Sequence, residues 1–214
     1  MKKGVRIMIG AGKIAGIVLA VLVMVALGLY FGCTGPHHLE QYPAAATSPY
    51  KLPWQAGIKH FCVQSNRGIV SHRGYDEFAY DFSMPVGTEL CAARAGKVIQ
   101  VVQEHDGHGY HWPNNLIRIR HEDGTQACYA HIKKEGSRVK AGDEVQQGQV
   151  IALSGHVGNS MLPHVHFHVT DAERTKTLPL AFVDVAEDAG VPRMFKWYTS
   201  GNTPPGDAAS ASVR

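Results

Sequence analysis

The chain has 214 residues, 44% of them hydrophobic, and a formal charge of +3, which suits one ordinary domain with appendages. So small a charge, with basic residues clustered only at the N-terminus, excludes nucleic acid as a partner. Histidine is the outlier, with 13 residues against 18 acidic ones.

Lys2, Lys3, Arg6 and Lys13 precede a charge-free run from Ile14 to Phe31. A membrane-spanning helix needs about 17–25 apolar residues, and a positive flank stays on the cytoplasmic side. Residues 1–33 are therefore expected to form a transmembrane signal anchor, with everything beyond it extracytoplasmic, in the periplasm or cell wall. A secreted form cleaved near Ala44-Ala45-Ala46 and a lipoprotein joined at Cys33 are the alternatives. An oxidising compartment permits one disulfide, for which Cys62 and Cys91 are the favoured pair. Cys128 precedes His131 by three residues, so on a strand it faces the opposite side and reads as a core residue.

Residues 34–56 carry Pro36, Pro43, Pro49 and Pro53 without periodicity and are expected to be a linker. From Ile58 the pattern changes to short β-type segments. His60–Gln64, Glu89–Ala93, Lys97–Gln103, Leu116–His121, Gln126–Ile132, Val150–Ser154 and His164–Thr170 read as strands separated by glycine-rich turns. No stretch gives an amphipathic helix longer than two turns. A six-residue echo over Val139–Ile151 (Val-x-x-Gly-x-x-Val-x-x-Gly-x-x-Ile) suggests hairpin-like turns between short strands. Phe182–Val185 and Gly190–Pro192 look like an extra packing segment. The fold class is mainly β with antiparallel pairing. The folded domain is expected over 57–200, and the Gly, Pro, Ser and Ala of 201–214 point to a disordered tail.

Within the last strand, Pro163-His164-Val165-His166-Phe167-His168 puts three imidazoles on one face, because strand side chains alternate. Imidazole is the commonest neutral zinc ligand, so this strand reads as half of a zinc site. His72, Asp81 and His131 stand upstream in contexts that suit the same site.

Several segments then match one family in its order: Ser71-His72, Tyr80 to Thr88, Ala92 to Val98, Asn115 to His121, Tyr129-Ala130-His131, Val145 to Ile151 and Pro163 to Phe167. Together they resemble the lysostaphin-type, or LytM-like, family of zinc endopeptidases that cut peptidoglycan cross-bridges. The resemblance implies a compact antiparallel β-sheet core with a groove over zinc, and peptidoglycan peptides as substrate. It implies His72, Asp81 and His166 as zinc ligands, with His131 and His164 as the catalytic pair. Three protein ligands leave a fourth position open, the pattern of a catalytic zinc. Zinc-activated water attacks an amide, and two unligated histidines supply base, acid and charge for the oxyanion. A catalytically inactive relative that binds wall or activates another hydrolase is the alternative. Such relatives generally lose site residues, and here all five positions match.

Asp76 competes with Asp81, because His72-x-x-x-Asp76 has the family's usual short spacing. Asp81 is favoured, since the stretch through Pro85 and Gly87-Thr88 begins at it, while the loop after His72 can lengthen. Asp76 then reads as a solvated loop carboxylate, and His168 as an exposed strand position. His105, His108 and His111 sit in a glycine-rich loop with Tyr110 and Trp112. That loop could line the groove, but reads better as an ordinary flexible loop; His121 reads as structural.

Overall fold

The computed structural model describes Gly16 and residues 18–27, 39–68 and 70–206, and the chain divides into one unit over 1–35 and another over 36–214. In the first unit residues 18–27 are helical. Among the described residues no helix is long and apolar enough to cross a membrane. The structure therefore does not support the expected anchor, and the remainder of that segment, with Cys33, lies outside the described residues.

The second unit is built from antiparallel strands: β1 (Lys59–Gln64), β2 (Tyr80–Ser83), β3 (Glu89–Cys91), β4 (Gly96–Val102), β5 (Leu116–Arg120), β6 (Gln126–Ala130), β7 (Ile132–Ser137), β8 (Glu144–Val145), β9 (Val150–Ser154), β10 (His164–Thr170) and β11 (Trp197–Thr199). Eight of them make one sheet in the order β11-β1-β2-β10-β6-β5-β4-β8, and β3-β9-β7 make a second. The echo over Val139–Ile151 does not form a hairpin. Its strands β8 and β9 join different sheets, β8 pairing with β4 and β9 with β3 and β7.

Period-two alternation decides which face each side chain takes. Tyr80 and Phe82 of β2, Ile117 and Ile119 of β5, Tyr129 of β6 and Phe167 of β10 are fully buried in one apolar cluster with Leu90 and Ile151 of the smaller sheet. Burying side chains of this size contributes about 1.5–3 kcal/mol each. Their strand neighbours Asp81, Cys128, His166 and His168 face the other way, so the large sheet keeps its core on one face and its polar chemistry on the other.

The domain is wider than the sequence suggests. Tyr50, Leu52 and Trp54, expected in the linker, are buried in the core. Asp184 ties this segment to the C-terminal one, accepting the Leu52 amide at 3.0 Å and the Gly201 amide at 2.8 Å. Asn202, expected in the tail, is fully buried and donates through Nδ2 to the carbonyls of Leu52 and Ala92. Buried amides need such partners, so order extends past residue 200; residues 207–214 lie outside the described residues. The extra packing segment is present, with Phe182, Val185 and Val191 buried. Cys62, Cys91 and Cys128 are each free and buried, so the expected Cys62–Cys91 bond is not formed. Burial pushes the Cys62 thiol well up and the Cys91 thiol to about 12.

Gly148 turns between β8 and β9 at φ +83°, and a Cβ there would run into the carbonyl of Thr203. Gly148→Ala should therefore cost at least about 1–3 kcal/mol. A lowered urea midpoint with an unchanged m-value is the expected reading; an unchanged midpoint would show that 201–206 does not pack there in solution.

Candidate metal centre

Antiparallel pairing assembles the site. His166 on β10 lies opposite Asp81 on β2 and Ala130 on β6, which brings together groups 85 residues apart in the sequence. His166 Nδ1 lies 2.8 Å from Asp81 Oδ1, and His72 Nε2 lies 3.1 Å from Asp81 Oδ2. His72 comes from the loop after β1, where its Nδ1 donates to the Ser65 carbonyl at 2.8 Å.

That donation leaves the His72 Nε2 lone pair facing a carboxylate. The atom is buried and has no hydrogen-bond partner. Two acceptors so placed repel unless positive charge lies between them. One atom from each of His72, Asp81 and His166 falls within 4.8 Å of the others. Two imidazoles and a carboxylate with a side open to a groove fit a divalent cation of catalytic type.

Gln64 is the functional residue that the sequence does not announce. Its Oε1 accepts the amides of Val70 and Ser71, each at 3.2 Å, while Nε2 donates to Ser71 Oγ at 2.8 Å and Asp81 Oδ2 at 2.9 Å. One buried amide thus fixes both the His72 loop and the carboxylate. Its only sequence signal is a polar residue closing the strand His60–Gln64.

His131 and His164 flank this group, with ring centroids 4.5 Å apart. The strand expected over Gln126–Ile132 breaks at His131, whose φ is +64°. A non-glycine residue in that region is uncommon and costs energy, and such residues cluster at functional sites. Asn114 Oδ1 accepts the His131 amide at 3.2 Å, and the Val157 carbonyl accepts from His131 Nδ1 at 2.7 Å. Gly155 makes room for the turn, since a Cβ there would sit 2.6 Å from the His131 carbonyl oxygen. His164 Nδ1 donates to the Leu162 carbonyl at 2.7 Å, and its Nε2 lies 3.6 Å from Asp81 Oδ1.

Electrostatics separate these groups. Burial first, then positive charge on His164 and His166, lowers His131 to about 3. Burial also lowers His164. Burial would raise Asp81, but the His166 ring hydrogen-bonded to it and the His72 ring against it outweigh that and hold the carboxyl well below its usual range. Burial opposes charge on His166 as well, yet Asp76 and Asp81 raise it to about 10. A position that draws protons onto imidazole this strongly is one that attracts a cation.

Four of the five expected site residues, Asp81, His131, His164 and His166, thus line one groove, and His72 lies buried against Asp81. The groove has a volume of about 340 Å³ and is walled by Val70, Asn159, Met161 and Leu162 beyond the histidines. Asp76 is not in the group with His72 and Asp81. Its Oδ1 lies behind the ring of His166, 3.7 Å from Nε2. His168 is buried rather than exposed, because Cys128 faces it on β6 and the Tyr75 ring meets it edge-on at 5.9 Å. His108 stacks on His156 at 3.7 Å, away from the site. Tyr110 and Trp112 are exposed and do not line the groove. His121 is structural, its Nδ1 donating to the Ala95 carbonyl at 2.8 Å and burial lowering it to about 4.

Residues 75–178 match peptidase family M23. Over 122 residues the chain is 35% identical to an uncharacterised metalloprotease of Haemophilus influenzae, covering 56% of this chain and 24% of that protein. Over 130 residues it is 36% identical to lysostaphin of Staphylococcus staphylolyticus, covering 58% and 24%. Over 101 residues it is 37% identical to the peptidoglycan DD-endopeptidase ShyB of Vibrio cholerae, covering 47% and 21%. The chain thus spans about a quarter of the length of these relatives. The segment that carries Asp81, His131, His164 and His166 is thus a peptidase M23 domain, similar to the lysostaphin-type, LytM-like metalloendopeptidases.

Proposed function

We propose that the domain is a zinc-dependent endopeptidase that hydrolyses peptide bonds of peptidoglycan cross-links outside the cytoplasmic membrane. One observation carries the reading: the donors of His72, Asp81 and His166 converge within 4.8 Å beside two further histidines on one groove. Two nitrogens and one carboxylate oxygen suit zinc better than magnesium or calcium. When bound, zinc supplies Lewis acidity and brings the pKa of water towards about 7.

The chain's own groups handle the protons. Nδ1 of His131 and Nδ1 of His164 are each committed to a backbone carbonyl at 2.7 Å. Each Nε2 is therefore a lone pair that can take a proton from the attacking water and return it to the leaving amine. Once protonated, the same ring presents an N–H to the carbonyl oxygen as negative charge develops there.

The substrate class is supported by the relatives lysostaphin and peptidoglycan DD-endopeptidase ShyB. The location is supported by the basic-flanked, charge-free run from Ile14 to Phe31, a composition that suits an export signal.

Zinc analysis of the chain, with turnover of purified peptidoglycan compared for wild type and His166→Ala, tests the reading. Wild type should hold zinc and release peptide fragments, and the variant should do neither. Intact hydrolysis by the variant would sink the mechanism. Zinc-loaded wild type that binds wall without cutting it would leave the inactive, wall-binding alternative standing.

A further inference from the structure

We propose a second divalent-cation site, formed by Asp76, His168 and the outer ring nitrogen of His166, back to back with the first. His166 turns Nδ1 to Asp81 and Nε2 away from it. Nε2 lies 3.1 Å from His168 Nδ1 and 3.7 Å from Asp76 Oδ1, and His168 Nδ1 lies 3.5 Å from that same oxygen. A tetrahedral centre with nitrogen and oxygen donors at about 2.0–2.2 Å holds those donors about 3.3–3.6 Å apart. The three separations bracket that edge.

The two rings share a hydrogen bond at 3.1 Å, but hydrogen bonding accounts less well for Asp76. Both Asp76 distances exceed the roughly 2.7–3.2 Å of a good N–H···O bond, so the carboxylate is badly placed to accept from either ring. It is well placed to share a cation with both. His168 is buried and held by β10, whereas the Asp76 side chain is 40% exposed. One side of the triad therefore opens to solvent, leaving room for a water in the fourth position. Two imidazoles with one carboxylate select zinc, cobalt or nickel over magnesium and calcium.

The two sites differ in strength for physical reasons. At the first, the His72 and Asp81 side chains are 0% and 10% exposed, and Gln64 pre-orients the carboxylate. At the second, Asp76 ends a short 3-10 turn, Gly74–Asp76, within the loop that follows His72. With a cation already on Nδ1, loading Nε2 also releases the ring's remaining proton to solvent and sets two dications across one imidazole. The second site therefore fills after the first, at higher zinc. The inference rests on the metal site proposed at His72, Asp81 and His166, though not on the hydrolysis itself.

Equilibrium dialysis of the full chain against rising zinc, with metal analysis, tests it. Wild type should pass from one zinc per chain to two. Asp76→Asn combined with His168→Gln should keep the tight zinc, which also reports that the variant folds, and should weaken the second by at least about tenfold. Asp76→Asn alone, on an exposed turn, should move the same way. A single zinc in wild type at saturation overturns the proposal, and so does a second zinc that persists undiminished in the variants.

Discussion

At one equivalent of zinc, Asp81→Ala is expected to lose the metal and all measurable hydrolysis, while Asp76→Ala keeps both. Asp81 sits between three imidazoles, with His166 Nδ1 at 2.8 Å, His72 Nε2 at 3.1 Å and His164 Nε2 at 3.6 Å. Its removal deletes the only anionic donor of the group and leaves the Gln64 amide and the His72 lone pair without their counterpart. Loss of an outer partner of a ligand costs roughly 10–100-fold in metal affinity, and a direct ligand costs more. Asp76 touches the far side of His166 and the neighbouring His168 but not His72 or Asp81, so its loss should stay within that outer-partner range. Metal analysis after gel filtration, with hydrolysis of purified peptidoglycan on the same samples, separates the two. The reverse result would transfer the ligand role to Asp76.

His131→Gln is expected to lower kcat by about 10²–10⁴, the range supplied by a positioned general acid or base, with zinc content unchanged. The ring is not among the three converging donors, so metal retention distinguishes proton transfer from ligation. It is also held away from them by the Val157 carbonyl and by its own left-handed backbone. A structural role alone would lower the unfolding midpoint and leave kcat per folded molecule intact. A variant with normal kcat would remove His131 from the catalytic pair.

Much of the candidate site was legible because strand chemistry is local. The alternation His164, Val165, His166, Phe167, His168 assigns three imidazoles to one face and the apolar residues to the core, and both assignments hold in β10. The register from Asp81 to Pro85 favoured Asp81, and pairing of β2 with β10 puts Asp81 opposite His166. Elements with weak local signal were missed: β8 and β11 have two and three residues, and such segments become strands only because a partner pairs with them. Gln64 was missed for a similar reason. Its role lies in four hydrogen bonds to residues 70, 71 and 81, and no spacing rule encodes them.

By itself the sequence determined the fold class, the histidine-bearing strand and the residue types able to hold a cation, because strand periodicity and ligand chemistry depend on neighbours along the chain. Only the tertiary structure decided how those residues divide. Pairing of β2, β10 and β6 gives Nδ1 of His166 to Asp81 and its Nε2 to Asp76 and His168. The turn at His131 then sets that ring beside the group rather than in it. It likewise decided where the domain ends, since Trp54 and Asn202 are buried by contacts that proline-rich and glycine-rich stretches do not predict. The two nitrogens of one imidazole look the same in a sequence, and only packing gives them different partners.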